Sequence, residues 1–362
     1  MPNPDVSRMV NEFMDMVRID SESGEEARMV DHLLVKFRDL GATAEKDAYG
    51  NLIAHLPARG TSCTRPILLS CHADTVKPGK GIEPVLKDGV IRSSGDTILG
   101  ADDKAGIAEM IETIRIAEIH PPLEIAISRQ EEVGLLGVKN LDYSRLTATR
   151  GFLLDNDTLD TIVIGGPSYF AIDAVFHGRS AHAGMEPEKG INAIAAAARA
   201  LSAIDFGRVD KETTCNVGVI QGGSIRNGVP DRASIMAECR SLDHDKGVTL
   251  AESIRETLIR EGEVSGAKVE VEVNNLCRSV LISEDSWTVN TAKEAFRRVG
   301  IEASTTLITG FTDASIYNNH GIEMAVIGIG ARMEHSTDEH IHVEDMERAV
   351  LALLEIFKLS CD

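Results

Sequence analysis

The chain has 362 residues, 26% of them charged and 43% hydrophobic, the composition of a globular protein long enough for two domains. Its 37 Lys and Arg against 57 Asp and Glu leave a net charge of −20, which excludes nonspecific binding to nucleic-acid phosphates or an anionic membrane surface. No run of eighteen apolar residues and no basic, apolar leader is present, so a cytoplasmic protein is expected. The six cysteines (Cys63, Cys71, Cys215, Cys239, Cys277 and Cys361) form no CxxC pair and read as scattered thiols, neither a disulfide framework nor a zinc knuckle.

Taken in chain order, "DSESGEEARMVDHLLVKFRDLG" predicts a helix, with Ser21 and Ser23 as caps, Glu25 and Glu26 early, and Gly41 as the stop. Short apolar runs then alternate with helical patterns: "PILLSC", "LEIAIS", "GFLLDN" and, much later, "MAVIGIG". Runs apolar on both faces suit a sheet covered by helices, hence an α/β core. After "GADDKAG", Ile107, Ile111 and Ile114 recur at helical spacing. Between about 166 and 277 the texture changes to alternating strands ("YFAIDAVFHG", "RASIMAECRSL", "VEVEVNN") and two helical stretches. Two strands, helix, two strands, helix and strand would make an inserted α+β sandwich, hinged at Ile164–Ser168 and Asn274–Ser279. Residues 1–165 and 278–362 would then form the core domain.

The chemistry-bearing residues fall at the ends of the apolar runs. "LLSCHAD" places His72 and Asp74 there, "SRQEEVG" Glu131 and Glu132, "GFLLD" Asp155, and "GARMEHSTDE" His335. In an open α/β sheet, ligands sit outside the carboxyl ends of the strands, so these groups and the Asp102/Asp103 turn are expected on one rim. So many carboxylates cannot all stay ionised together without a cation. Imidazoles mixed with carboxylates favour zinc, cobalt or manganese over calcium or magnesium, and two ions need a bridging carboxylate. One aspartate of the pair would serve as that bridge. Cys71 points away from His72 on an extended strand and reads as core. Of the remaining histidines, all but His182 read as surface or satisfied core residues.

"HAD", "GADDKAG", "EEVG", "LLD" and "EHS" resemble, in order and spacing, the di-zinc M20 metallopeptidases, and "GRSAHAGMEPEKGINAI" resembles that family's inserted dimerisation domain. The resemblance covers nearly the whole chain and lies nearest the peptidase T branch of tripeptide aminopeptidases. It implies a zinc-exopeptidase-like catalytic domain with a mixed sheet, an inserted lid and dimerisation domain at 166–277, and a homodimer. It also implies two divalent metal ions per subunit, zinc first, with cobalt or manganese as alternatives. His72, Asp102 and Asp155 would bind one ion and Asp102, Glu132 and His335 the other. Asp103 would remain a turn residue and Lys104 a structural partner.

The same resemblance makes Glu131 the general base on a metal-bridging water and Asp74 the carboxylate that fixes the His72 imidazole. His182 would stabilise the oxyanion in the partner subunit's site, and Arg240 would grip a substrate carboxylate. Asn227 and Gly310 would add substrate contacts. The expected activity is removal of the N-terminal residue from tripeptides. A carboxypeptidase or N-acyl amino acid deacylase on the same scaffold is the alternative, and a non-catalytic peptide-binding relative the more remote one. The intact Glu131 argues against the last.

Overall fold

The computed structural model describes residues 2–361. The chain divides into two compact units. One comprises the segments up to Gly165, Leu281–Ile308 and the chain from Thr312 onward; the other comprises Gly166–Val280 with Thr309–Phe311.

A nine-stranded mixed sheet organises the first unit. At its centre Leu123–Ser128, Ile67–His72, Arg150–Asn156 and Glu323–Gly328 are neighbours in that order, all parallel. Leu52–Leu56 and Thr43–Lys46 continue it antiparallel at one edge, and Thr161–Gly166 pairs antiparallel with Glu323–Gly328 on the other side. Every residue of Ile67–His72 and of Leu123–Ser128 is buried, which is why these strands read as unbroken apolar runs. The parallel alignment is the important consequence: four carboxyl ends open on the same rim.

Helix Ala101–Ile116 packs on Ile67–His72 and Arg150–Asn156. It needs Gly106 there, since a Cβ on that residue would lie 2.6 Å from the Leu154 carbonyl oxygen. Val6–Val17 and Val343–Leu359 pack against this helix in turn. The helix expected after Ser21 and Ser23 is Ala27–Asp39, but it starts at Glu26 without a side-chain cap. Ser23 instead donates to Asp74 Oδ2 at 2.7 Å, a bond to a buried carboxylate that outcompetes capping. Gly41, at φ 90°, ends the helix as expected, with the Ala42 N–H returning to the Phe37 oxygen at 3.0 Å.

A small antiparallel sheet joins Ala331–Arg332, His340–His342, Val90–Ser93 and Pro84–Lys87. The loop between its first two strands carries His335. No disulfide joins the six cysteines, and Cys71 is buried. Among the described residues no helix is long and apolar enough to cross a membrane.

The second unit is a five-stranded antiparallel sheet in the order Gly207–Asp210, Thr213–Gly222, Arg232–Ser241, Ser168–His177, Lys268–Cys277. Helices Ala193–Ser202 and His244–Val264 cover it, burying Ile172, Phe176, Ala196, Ile235, Ile254 and Leu258. A side chain such as Phe176 contributes about 1.5–3 kcal/mol by its burial. One strand, not two, precedes the first helix, and three, not two, separate the helices. Thr161–Gly166, with Ile162 and Val163 buried, fits a doubly covered sheet and joins the first unit.

Candidate metal centre

His72 closes its strand fully buried, with its two ring nitrogens facing different groups. Nδ1 lies 3.0 Å from the main-chain oxygen of Asp74 and 3.5 Å from that residue's carboxylate. With Nδ1 donating to that oxygen, Nε2 is the ring atom turned toward the neighbouring carboxylates. Nε2 lies 3.0 Å from Asp102 Oδ1 and 3.5 Å from Asp155 Oδ1. On the other side of Asp102, Oδ2 lies 3.3 Å from His335 Nε2, which is also 2.9 Å from Glu132 Oε1. The candidate ligand atoms of His72, Asp102 and Asp155 all lie within 4.8 Å of one another, as do those of Asp102, Glu132 and His335. Asp102 is therefore common to both groups, one oxygen directed to each histidine. Glu131 also comes within that range of His72 and Glu132.

Buried carboxylates latch the main chain that presents these groups. Asp74 accepts from the Glu131 N–H at 2.9 Å and the Glu132 N–H at 3.2 Å. Asp103 is fully buried and accepts the His72 N–H at 3.0 Å, so it does more than shape a turn; the Asp102–Asp103 peptide bond is cis. Glu339 accepts three N–H bonds, from Leu99 and Gly100 at 2.7 Å and from Asp102 at 3.0 Å. Lys104 is buried, donates to the Ile19 oxygen at 3.0 Å, and is pushed down to about 8 by burial. Glu339 and Asp313 were not singled out from the sequence. Asp313 is wholly buried and accepts from the Ser128 hydroxyl below the rim. Nothing in a single sequence distinguishes such acids from solvated ones, although Glu339 ends the "HSTDE" stretch.

The protein alone strains to accommodate this charge. Burial lifts Asp155 and Asp313 to about 7, and carries Glu131 and Asp103 well above the carboxylate range. Hydrogen bonds that the ring donates to Asp102 and Glu132 raise His335 to about 10. Burial opposes the charged form of His72, but Asp102, Asp155 and Asp74 outweigh it and hold that ring well above its usual value. Divalent cations would remove the need for these shared protons. Two imidazoles and three carboxylates, one of the carboxylates shared between the two groups, are a donor set that suits a pair of zinc-like ions. The residues fit such a pair.

The remaining sequence candidates stand in the inserted unit and join neither group. His182 is exposed; its Nδ1 accepts from the Gly184 and Met185 N–H groups, each at 3.2 Å. Asn227 lies beside it, its main-chain oxygen accepting the Ala183 N–H at 3.0 Å. Arg240 stacks over Tyr169 and Phe311 and is already paired with Glu238. Gly310 lies in the Thr309–Phe311 segment, with open space where a side chain would stand. A groove of about 710 Å³ in this unit, between Ser180, Gln221, Ile225 and Pro230, holds none of the candidate ligands.

The M20 peptidase dimerisation domain matches residues 167–264. Peptidase family M28 matches residues 51–212, a span that takes in His72, Asp102, Glu132 and Asp155 but stops short of His335. The full-length likenesses favour M20 over M28. The chain is 36% identical to the uncharacterized protein YqjE of Bacillus subtilis, over 96% of this chain and 98% of that one. It is 37% identical to the solved aminopeptidase PepT of Bacillus cereus, covering 99% of this chain and 100% of that one with a TM-score of 0.92. A solved tripeptidase of Staphylococcus aureus is 33% identical over 99% of this chain and 100% of its own, with a TM-score of 0.95. On these likenesses, and on a fold and site that agree with them, the chain belongs to the peptidase T-like branch of the M20 peptidases.

Proposed function

We propose that this peptidase is a di-metal aminopeptidase that removes the N-terminal residue of tripeptides, with two zinc ions per subunit, or cobalt or manganese in their place. The observation that carries the reading is Asp102, whose two oxygens face His72 and His335 separately. His72, Asp102 and Asp155 would hold one ion, and Asp102, Glu132 and His335 the other. Bound there, the ions would polarise the scissile carbonyl and lower the pKa of the attacking water.

Glu131 is left as the carboxylate without a ligand's task. It would take the proton from the attacking water and deliver it to the departing amine. Asp74 supports both steps, because it orients His72 and also ties down the Glu131–Glu132 main chain. The family resemblance supports residues 166–277 as the dimerisation and lid domain of a homodimer. In that assembly His182 would stabilise the oxyanion in the partner's site, while Arg240 holds the C-terminal carboxylate of the peptide. Asn227 and Gly310 would contribute weaker contacts near these groups.

The aminopeptidase direction rests on the likeness to the aminopeptidase and tripeptidase structures, and it is the part most open to test. A free tripeptide, its C-terminal amide and its N-acetyl form should be assayed with zinc, cobalt or manganese. The free peptide should lose its first residue fastest, and chelation should abolish the reaction. Faster release of the C-terminal residue from the N-acetyl form would make the enzyme a carboxypeptidase or deacylase instead.

A further inference from the structure

Arg240 is not waiting with an open fork. Its Nε and Nη2 donate to the two carboxylate oxygens of Glu238, at 3.1 Å and 3.0 Å, a side-on bidentate pair. The two residues are i and i+2 on Arg232–Ser241, so they share a face of the strand. Glu238 therefore occupies one bidentate edge of the guanidinium and cancels its charge.

Glu238 is also dispensable for holding Arg240 in place. Nη1 donates independently to the Thr309 oxygen at 3.0 Å. The guanidinium carbon sits 4.7 Å from the ring centre of Tyr169 and 5.7 Å from that of Phe311, and the two rings pack 5.2 Å apart. Tyr169 is the direct cross-strand partner of Arg240, which keeps ring and cation in register. A carbonyl and two rings hold the cation besides Glu238, whose carboxylate takes the remaining edge and also meets the Tyr169 hydroxyl. Both side chains are about a quarter exposed, at 27% and 28%, so a rotation of Glu238 into water is open to it.

We propose that Glu238 is a built-in stand-in for the substrate's C-terminal carboxylate, displaced from Arg240 when a free peptide binds. This rests on the reading of Arg240 as the carboxylate grip. It makes Glu238 a specificity-determining residue with two effects. Glu238 weakens binding of every free peptide, because one ion pair is exchanged for another. It also softens discrimination against ligands lacking the carboxylate, because Arg240 is never left unpaired. A residue that merely oriented Arg240 would act in the opposite direction, since its loss would impair binding.

The sign of one substitution separates these roles. Glu238→Gln keeps the shape and removes the charge, and Glu238→Asp shortens the side chain so that it cannot span both nitrogens. Steady-state kinetics of the holoenzyme on Leu-Gly-Gly and on its C-terminal amide should be compared with those of both variants and of Arg240→Met. In both Glu238 variants KM for the free peptide should fall by about 2–10-fold, the worth of a partly exposed ion pair, and preference over the amide should widen. An unchanged or raised KM for the free peptide in both variants overturns the stand-in role. Arg240→Met should erase the preference for the free peptide. If that preference survives, Arg240 is not the grip, and the underlying reading fails whatever the Glu238 variants do.

Discussion

The two units present their polar groups in opposite ways. In the first, His72, Glu132 and Asp155 stand at or beyond the ends of buried parallel strands, and Asp74, Asp103 and Glu339 tie the main chain of His72, Glu132 and Asp102 down with hydrogen bonds of 2.7–3.2 Å. His72 is 2% exposed there. In the second, His182 and Asn227 lie in exposed loops, and Arg240 is held by two rings and a neighbouring acid. On the proposed function the contrast would be a division of labour: the first unit would be preorganised for bond-breaking, and the second would read the ligand with side chains that are less tightly held. A site assembled before the ligand arrives should tolerate no loss, whereas substitutions at Glu238 and Arg240 should change ligand preference.

The sharpest way to break that contrast is at Asp102. Removing the one carboxylate common to both groups should empty both metal positions, so Asp102→Ala should lose more than about 10⁴-fold in kcat/KM and most of its bound zinc by elemental analysis. A variant that kept both ions would show that Asp102 does not bridge. Next comes Glu131→Gln, which keeps volume but cannot carry a proton. Metal content should survive while kcat drops by about 10²–10⁴-fold. Because Glu131 lies within reach of His72 as well, loss of metal in this variant would mean that Glu131 and Glu132 have exchanged roles.

Glu339 offers a test at one remove from the ligands. Its carboxylate receives three N–H bonds from the segment carrying Asp102, and it sits four residues beyond His335, so it ties one ligand loop to the other. In Glu339→Gln an amide group replaces one acceptor oxygen, and at least one N–H loses its partner. Zinc affinity, measured by competition with a chelator, should weaken by about 10–100-fold while the fold persists. Unchanged affinity would mean the turn is rigid without its latch.

How legible each part was in the sequence follows from the same contrast. A buried parallel strand must be apolar, so its carboxyl end is marked by the first Asp, Glu or His after the run. That rule led to His72, Asp155 and the Glu131–Glu132 pair, from which the family resemblance singled out Glu132, and the structure gathers His72, Glu132 and Asp155 with Asp102 and His335. Asp103, Glu339 and Asp313 escaped because an acid buried by tertiary packing looks in sequence like one in water. Their partners are main-chain N–H groups and the Ser128 hydroxyl, which carry no sequence signal. Ser23 misled for a related reason: its hydroxyl answers to Asp74, fifty-one positions away, rather than to the helix beside it. In the second unit the alternation of strands was plain, but the pairing of Arg240 with Glu238 depends on side-chain geometry that spacing leaves open.

The smallest expected readout, a partial return of activity in mixed dimers, tests whether the second unit acts across subunits. The His182 side chain accepts from the Gly184 and Met185 N–H groups of its own loop, its main chain bridges to Gly228, and among the described residues it forms part of neither ligand group. If it completes the site of a partner chain, a His182→Ala homodimer and a Glu131→Gln homodimer should each be nearly inactive. A mixed dimer differs, because one of its two sites combines an intact Glu131 with an intact His182 from the other chain. Random exchange at equal concentrations places half the molecules in mixed dimers with one competent site of two, so about a quarter of the wild-type rate should return. Subunit exchange must be followed separately, by mass spectrometry of differently tagged chains. Exchange without recovery would place His182 outside the partner's site. Full activity of the His182→Ala homodimer would remove it from the chemistry altogether, leaving the first unit to work alone.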